Sequence, residues 1–208
     1  MVPNPRPSVL LLLRHGQSEW NATGRWQGQA DPPLTATGRQ QAIEAGARLR
    51  RDGLRFDHIL ASDLTRAATT ARFLATELGH KRRGSIDVEL MPALRERHAG
   101  PFQGLTQSEI ETQFPGALSN REWPNGYERD DQIIARLIPA LGNLARNRPG
   151  KRLLAVAHGG LIRALDRYLS AEERPINNLS GRWYELSANP TALAPIQLIG
   201  LKDQNTVE

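Results

Sequence analysis

Hydrophobic positions along this chain follow two rhythms, short unbroken runs and longer stretches at helical spacing. Residues 8–13 form a continuous, short apolar run, which predicts a strand buried on both faces. Residues 56–61, 86–90 and 153–157 read as further strands, and 182–187 and 196–201 as two more near the end. Between them lie helical patterns. One starts at Thr35, a good N-cap, and stops at Gly53, with Arg48, Arg50 and Arg51 in its last turns where the macrodipole favours cations. A second is expected to be capped by Ser62 or Asp63 and to stop at Gly79. Its apolar stripe is Leu64, Ala67, Ala68, Ala71, Leu74 and Leu78. A longer helix over 128–146 places Ile133, Ile134, Leu137, Ile138, Leu141 and Leu144 on one side, and Pro139 should kink it. A fourth follows His158-Gly159-Gly160 and carries Leu161, Leu165, Tyr168 and Leu169.

Strand and helix patterns in alternation predict an α/β fold, a three-layer sandwich with a mostly parallel central sheet and helices on both faces. Two stretches break the pattern. Residues 16–33 read as a loop rich in Gly, Gln, Asp and Pro. Residues 91–125 are interrupted by Pro92, Pro101, Pro115 and Pro124 and carry one short helix near 106–114. The second stretch, about 91–127, is expected to be a lid-forming insertion over the sheet edge within a single domain spanning 1–208.

Composition narrows the chemistry. The chain has 208 residues, 39% of them hydrophobic, enough for one domain with its own core. With no cysteine, thiol nucleophiles, disulfides, iron–sulfur clusters and thiolate zinc sites are excluded. The longest early apolar run, 9–13, is too short for a signal-peptide core or a membrane span, so the chain reads as cytoplasmic with no membrane partner. The sequons at Asn21 and Asn178 then carry no weight. A net charge of +5 points toward anions. The basic clusters (Lys81-Arg82-Arg83; Arg48, Arg50, Arg51) are short, and aromatics at 5% supply no stacking platform, which argues against nucleic acid. A small anion is the better partner.

Two strands end alike, one in Arg14-His15-Gly16 and one in His158-Gly159-Gly160. Ligands of open α/β sheets bind beyond the carboxyl ends of strands, so both imidazoles should meet at that rim. No His pair stands at helical i, i+3 or i+4 spacing and only Glu19 flanks either motif, so metal ligation fits less well than phosphate chemistry. Arg14 offers a two-pronged fork, and the helix start at Gly159-Gly160 offers free N–H groups to a phosphate. Surrounding cations lower an imidazole's pKa and keep it unprotonated, able to attack phosphorus.

These residues resemble the histidine phosphatase superfamily, which includes the cofactor-dependent phosphoglycerate mutases. The resemblance runs through Arg14-His15-Gly16-Gln17-Ser18-Glu19-Trp20-Asn21, Gln27-Gly28, Asp31-Pro32-Pro33-Leu34-Thr35, Gly38 and Ser62-Asp63-Leu64-Thr65-Arg66-Ala67. It continues with Glu96 four residues before Gly100, and with Ala157-His158-Gly159-Gly160. It implies that His15 is the nucleophile, and that Arg14, Arg66 and His158 bind the transferring phosphoryl group, His158 as an imidazolium. Asn21 and Gln27 would add neutral hydrogen bonds, with Gly28 and Gly159 also in the substrate site. Glu96 would be the acid and then the base, with Glu128 in reserve. No metal and no cofactor is called for. By local pattern Arg66 stands off its helix's apolar stripe, facing the rim or solvent, and Glu96 can serve only if Arg95 and Arg97 point away from it.

Pro101-Phe102-Gln103-Gly104 and Tyr127 depart from the common family pattern, which bears on the substrate rather than the reaction. Arg25, Trp26, Arg97, His98, Phe102, Tyr127 and Arg182 are expected at the mouth, their cations hinting at a second anionic group. Sixty-two positions separate Glu96 from His158, the compact spacing of phosphatases rather than mutases. The expected activity is phosphomonoester hydrolysis of a small phosphorylated metabolite through a phosphohistidine. The alternatives are a phosphoglycerate mutase and a non-catalytic phosphate-binding protein. The terminal strand at 196–201 could pair across a homodimer.

Overall fold

The structure is a computed structural model that describes residues 6–79, 81–82, 85–86, 88–172, 174–187 and 196–198. The elements in chain order are β1 (Ser8–Arg14), α1 (Glu19–Ala22), α2 (Ala36–Arg51), β2 (His58–Ala61), α3 (Thr65–Glu77), β3 (Lys81–Arg82), β4 (Ser85–Ile86) and β5 (Glu89–Leu90). They continue with α4 (Gln107–Gln113), α5 (Ala117–Asn120), α6 (Asp130–Asn147), β6 (Arg152–Ala157), α7 (Gly159–Tyr168), β7 (Gly181–Leu186) and β8 (Ile196–Leu198).

One sheet has the order β5-β2-β6-β1-β7-β8. β5, β2, β6 and β1 are mutually parallel, and β7 and β8 add antiparallel strands beside β1. Because successive strand residues face opposite sides, the apolar runs divide between two layers. Leu10 and Leu12 of β1, with Leu153 and Ala155 of β6, pack against Leu137 and Leu141 of α6 and Leu161 and Leu165 of α7. Leu11, Leu13, Leu154 and Val156 pack on the other face against Leu49 of α2 and Ala67, Ala71 and Leu74 of α3. The fold is therefore α/β with helices on both faces of a mixed, mostly parallel sheet. Among the described residues no helix is long and apolar enough to cross a membrane.

Several expectations need correction. The strand expected over 86–90 divides: Ser85–Ile86 pairs antiparallel with Lys81–Arg82, and only Glu89–Leu90 joins β2, with residue 87 outside the described residues. Both residues of β5 are exposed, so this edge strand has too little apolar surface to hold a longer pairing. Of the strand expected at 196–201, only 196–198 lies within the described residues, pairing with β7; 199–201 and Arg83 lie outside them. The loop expected at 16–33 contains α1, capped by Ser18 and Asn21 in a reciprocal box. Pro139 lies inside α6, as expected. Pro139 and Ala135, whose carbonyl it deprives of a partner, are both exposed, so water can satisfy that oxygen.

α3 is not capped by Ser62 or Asp63. Its N-cap is Leu64, and the first-turn donors go to Asp31 from the preceding loop: Thr65 N–H donates to Oδ1 at 2.7 Å and Thr65 Oγ1 to Oδ2 at 2.6 Å. The segment after β5 has its own small core. Phe102 sits at its centre, fully buried, edge-on to Trp26 and Phe114 at 5.6 and 5.2 Å, with Ile110, Trp123 and Tyr127 around it. Thr106 caps α4 there with Glu109 in a reciprocal box, as the short helix near 106–114 requires.

Candidate active site

The topology brings the two His-Gly turns together. Arg14 stands opposite Ala157 in the parallel β1–β6 register, and the His15 N–H donates to the Ala157 carbonyl at 3.0 Å. His15 and His158, next along each strand, therefore emerge side by side at the carboxyl edge. Their ring centroids lie 5.1 Å apart at 60°. β2 ends at the same edge, so Arg66 in the first turn of α3 reaches the same place. Both imidazoles and Arg66 are buried, His158 and Arg66 completely.

Of the two directions open to it, rim or solvent, Arg66 takes the rim. Its Nη1 and Nη2 donate to the carbonyls of Ala30 and Gly28 at 2.7 and 2.9 Å, gripping the loop that also supplies Asp31. Burial lowers its pKa to about 10, with Glu96 and Asp31 opposing, so the guanidinium stays charged at neutral pH. Arg14 donates to the Ile176 carbonyl at 2.8 Å, and burial is the main cause that lowers its pKa too.

His15 Nδ1 lies 2.7 Å from the Gly16 carbonyl. A carbonyl accepts only, so Nδ1 carries the hydrogen and Nε2 keeps its lone pair. Burial first, then Arg66 and Arg14, push the His15 pKa well below the usual histidine value. His158 is pushed down likewise by burial, Arg66, His15, Arg136 and Arg14. The expected imidazolium at His158 is thus disfavoured in the free site; only an anion close by can draw a proton onto it. Neither ring nitrogen of His158, nor Nε of Arg66, has a hydrogen-bond partner among the described residues. Buried polar atoms are rarely left so, and Arg66 Nε with the protonated nitrogen of the His158 ring can each donate to a small oxyanion.

Glu96 is held over this edge. Its Oε2 accepts from Gly160 N–H at 2.9 Å and its Oε1 from Arg97 N–H at 2.7 Å. A Cβ on Gly160 would sit 2.3 Å from Oε1, so only glycine lets the carboxylate approach. The Gly160 N–H expected to meet phosphate is committed to Glu96 instead. The flanking cations do point away: Arg95 forks onto Asp63, and Arg97 reaches Asp130 and the Glu128 carbonyl. Glu128 is tied to Arg136 at 2.7 Å and to His98 N–H at 3.0 Å, which leaves it no part at this edge.

A cavity of about 1050 Å³ opens here, lined by Arg14, His15, Asn21, Gln27, Gly28, Glu96 and Gly159, while the fully buried Arg66 and His158 lie behind its wall. Ser18 fixes the amides of Gln27 (2.7 Å, to Oε1) and Asn21 (3.2 Å, to Oδ1), leaving each with amide N–H groups to donate. Arg25, Trp26, Arg97 and Tyr127 line the upper walls, as expected at the mouth. Phe102 does not, being core, and Arg182 instead pairs with buried Asp166 at 3.4 Å. His98 turns to the Gly126 carbonyl. Arg25 and Arg97 are themselves paired with Glu109 and Asp130, and Arg121, Arg129 and Arg163 also line the cavity.

Two supports carried no local signal in the chain. Asn178 donates to the His15 carbonyl at 2.8 Å, and Thr70 Oγ1 accepts from the Gly16 N–H at 3.1 Å; both come from elements remote from β1. Among the described residues no three His, Cys, Asp or Glu side chains lie together as a metal site would need.

Comparison with known proteins shows the family. The model of the histidine phosphatase superfamily (branch 1) matches residues 10–187. The chain is similar to a metal-independent phosphoserine phosphatase of Arabidopsis thaliana, 33% identical over 95% of this chain and 78% of that protein. It is also similar to a 2,3-bisphosphoglycerate-dependent phosphoglycerate mutase of a Methylobacterium species, 38% identical over 76% of this chain and 78% of that protein. The solved mycobacterial glucosyl-3-phosphoglycerate phosphatase superposes with a TM-score of 0.76 at 32% identity, covering 93% of this chain and 97% of that one. That protein has also been solved with VO3 and with inorganic phosphate.

Proposed function

The chain belongs to the histidine phosphatase superfamily, branch 1, and on that footing we propose that it is a phosphomonoesterase acting on a small phosphorylated metabolite through a covalent phosphohistidine. The observation that carries this reading is that a fully buried His158 and Nε of Arg66, both without a hydrogen-bond partner among the described residues, lie beside a His15 ring whose Nε2 is free.

In this reading the phosphoryl group lies between Arg14, Arg66 and His158, whose donors face its oxygens, with Asn21 and Gln27 adding neutral hydrogen bonds. The Gly28 carbonyl fixes Arg66, and Gly159, lacking a side chain, leaves room beside Arg14. His15 Nε2 attacks phosphorus in line with the ester oxygen. A P–N bond forms, the P–O ester bond breaks, and its electron pair goes to the leaving oxygen, which takes a proton from the Glu96 carboxyl. Glu96, now a carboxylate, takes a proton from water as that water attacks phosphorus, and the P–N bond breaks back to neutral His15. Two easier displacements replace one, and fixed cations stabilise the charge on the equatorial oxygens.

Hydrolysis rather than transfer to a second hydroxyl is supported by the compact spacing of 62 positions from Glu96 to His158. The mutase relative, at similar identity, is the reason to keep isomerisation as the second reading. A panel of 3-phosphoglycerate, O-phosphoserine, sugar phosphates and p-nitrophenyl phosphate, scored for free phosphate and for isomerised ester, decides between them. Free phosphate without isomer is expected; isomer in excess of phosphate establishes the mutase.

A further inference from the structure

Arg136, on the second turn of α6, holds more acceptors than any surface role needs. Its Nη1 donates to the Ala93 carbonyl at 2.6 Å and its Nη2 to the Arg95 carbonyl at 2.8 Å, with the Glu96 carbonyl at 3.3 Å. Nε and Nη2 also fork onto the Glu128 carboxylate at 2.7 and 3.1 Å. Glu128 passes the hold along, since its Oε2 accepts from His98 N–H at 3.0 Å and its own N–H donates to the His98 carbonyl at 2.9 Å. One guanidinium and its carboxylate therefore fix the backbone on both sides of Glu96.

Among the described residues no cation forms an ion pair with the Glu96 side chain, although Arg14 and Arg66 lie close enough to feel its charge. Its two oxygens rest on backbone N–H groups of Arg97 and Gly160. Where the carboxylate sits is therefore decided by where the backbone at 96–97 sits relative to the start of α7. We infer that Arg136 is a positioning residue for proton transfer by Glu96, acting from the far side of the chain through the carbonyls at 93, 95 and 96. This rests on the phosphohistidine reading above. Lysine at 136 keeps the positive charge but has no planar fork, so it cannot span these acceptors together. A displacement of about 1 Å at a reacting group lowers rates on the order of a hundredfold.

Leaving-group dependence separates this role from general loosening. An alkyl phosphate needs a proton delivered to its departing oxygen, whereas 4-nitrophenolate leaves with little help. Phosphoenzyme formation is measured in single turnovers of the full chain with glycerol 3-phosphate and with p-nitrophenyl phosphate. For Arg136→Lys the expected fall is about 10- to 100-fold with the alkyl ester, and at least tenfold smaller with the aryl ester. Glu96→Gln should show the same pattern, and the double variant should be no slower than Glu96→Gln alone, because both changes remove one function. Glu128→Gln, which keeps the shape but weakens the fork, should give a milder version and serves if Arg136→Lys does not fold. Equal losses with both esters, or losses that multiply with Glu96→Gln, overturn the positioning role. If the unmodified chain forms no phosphoenzyme with either ester, the phosphohistidine reading itself fails, which is a different result.

Discussion

A nucleophilic imidazole needs one ring nitrogen free of hydrogen, and in His15 the Gly16 carbonyl chooses which. Burial and the neighbouring guanidinium groups also keep His15 and His158 unprotonated, and this has a consequence for stability. Both folded-state pKa values lie below the unfolded value near 6.5. Between those values the unfolded chain binds protons that the folded chain refuses, so stability rises with pH there and is lost as pH falls below about 6.5. Each group contributes at most about 1.4 kcal/mol per pH unit across that window. Urea unfolding between pH 8 and pH 5 should therefore show a steeper loss for the native chain than for a His15→Asn/His158→Asn variant. Parallel curves would mean that these rings are not held neutral. Catalysis follows the same sign: the acid limb of the rate profile should lie below pH 6.5.

At the scale of elements, the glycine at the head of α7 and the aspartate at the head of α3 make the clearest tests. Gly160→Ala adds a Cβ 2.3 Å from Glu96 Oε1 and must displace that carboxylate. Alanine favours helix by about 0.5–1 kcal/mol, so little loss of thermal stability is expected beside a fall of about 10- to 100-fold in kcat for an alkyl phosphate. Retained kcat would show that the carboxylate is not needed where it sits. Asp31→Ala removes the acceptor for both first-turn donors of Thr65. It should cost about 1 kcal/mol in urea unfolding, while Ser62→Ala costs less; the reverse order would restore the local cap.

These two heads also mark what the chain discloses by itself. Thr35 caps α2 from three residues away, and the apolar runs of β1 and β6 mark their own burial, so local pattern suffices there. Asp31 caps α3 from across a loop, and β5 is a strand only because β2 lies beside it, so neither shows in local spacing. The site follows the same division. Arg14, His15 and His158 stand at strand ends whose register brings them together. Arg66, by contrast, reads locally as facing either the rim or solvent, and the carbonyls of Gly28 and Ala30 explain its burial at the rim. Phe102 went to the core of its segment because the surrounding aromatics enclose it. Asn178, Thr70 and Arg136 act through backbone atoms of distant residues, which leaves no trace in residue type.

For the molecule as a whole, three parallel strands β2, β6 and β1 end at one edge, and every group assigned to the reaction hangs from that edge or from the segments packed over it. Arg14 and Arg66 act on His15 from the same edge, so the fold presents fixed positive charge where a phosphoryl group would gain negative charge. The covalent intermediate on His15 is the point on which the rest depends. The most direct measurement is a rapid quench of the full chain with a ³²P-labelled phosphomonoester, divided between acid and base and followed by peptide mapping. The expected result is label that survives base, is lost in acid, disappears in His15→Ala, and maps to the peptide containing His15. Turnover with no labelled protein at any quench time, or label that survives acid on another residue, would contradict it.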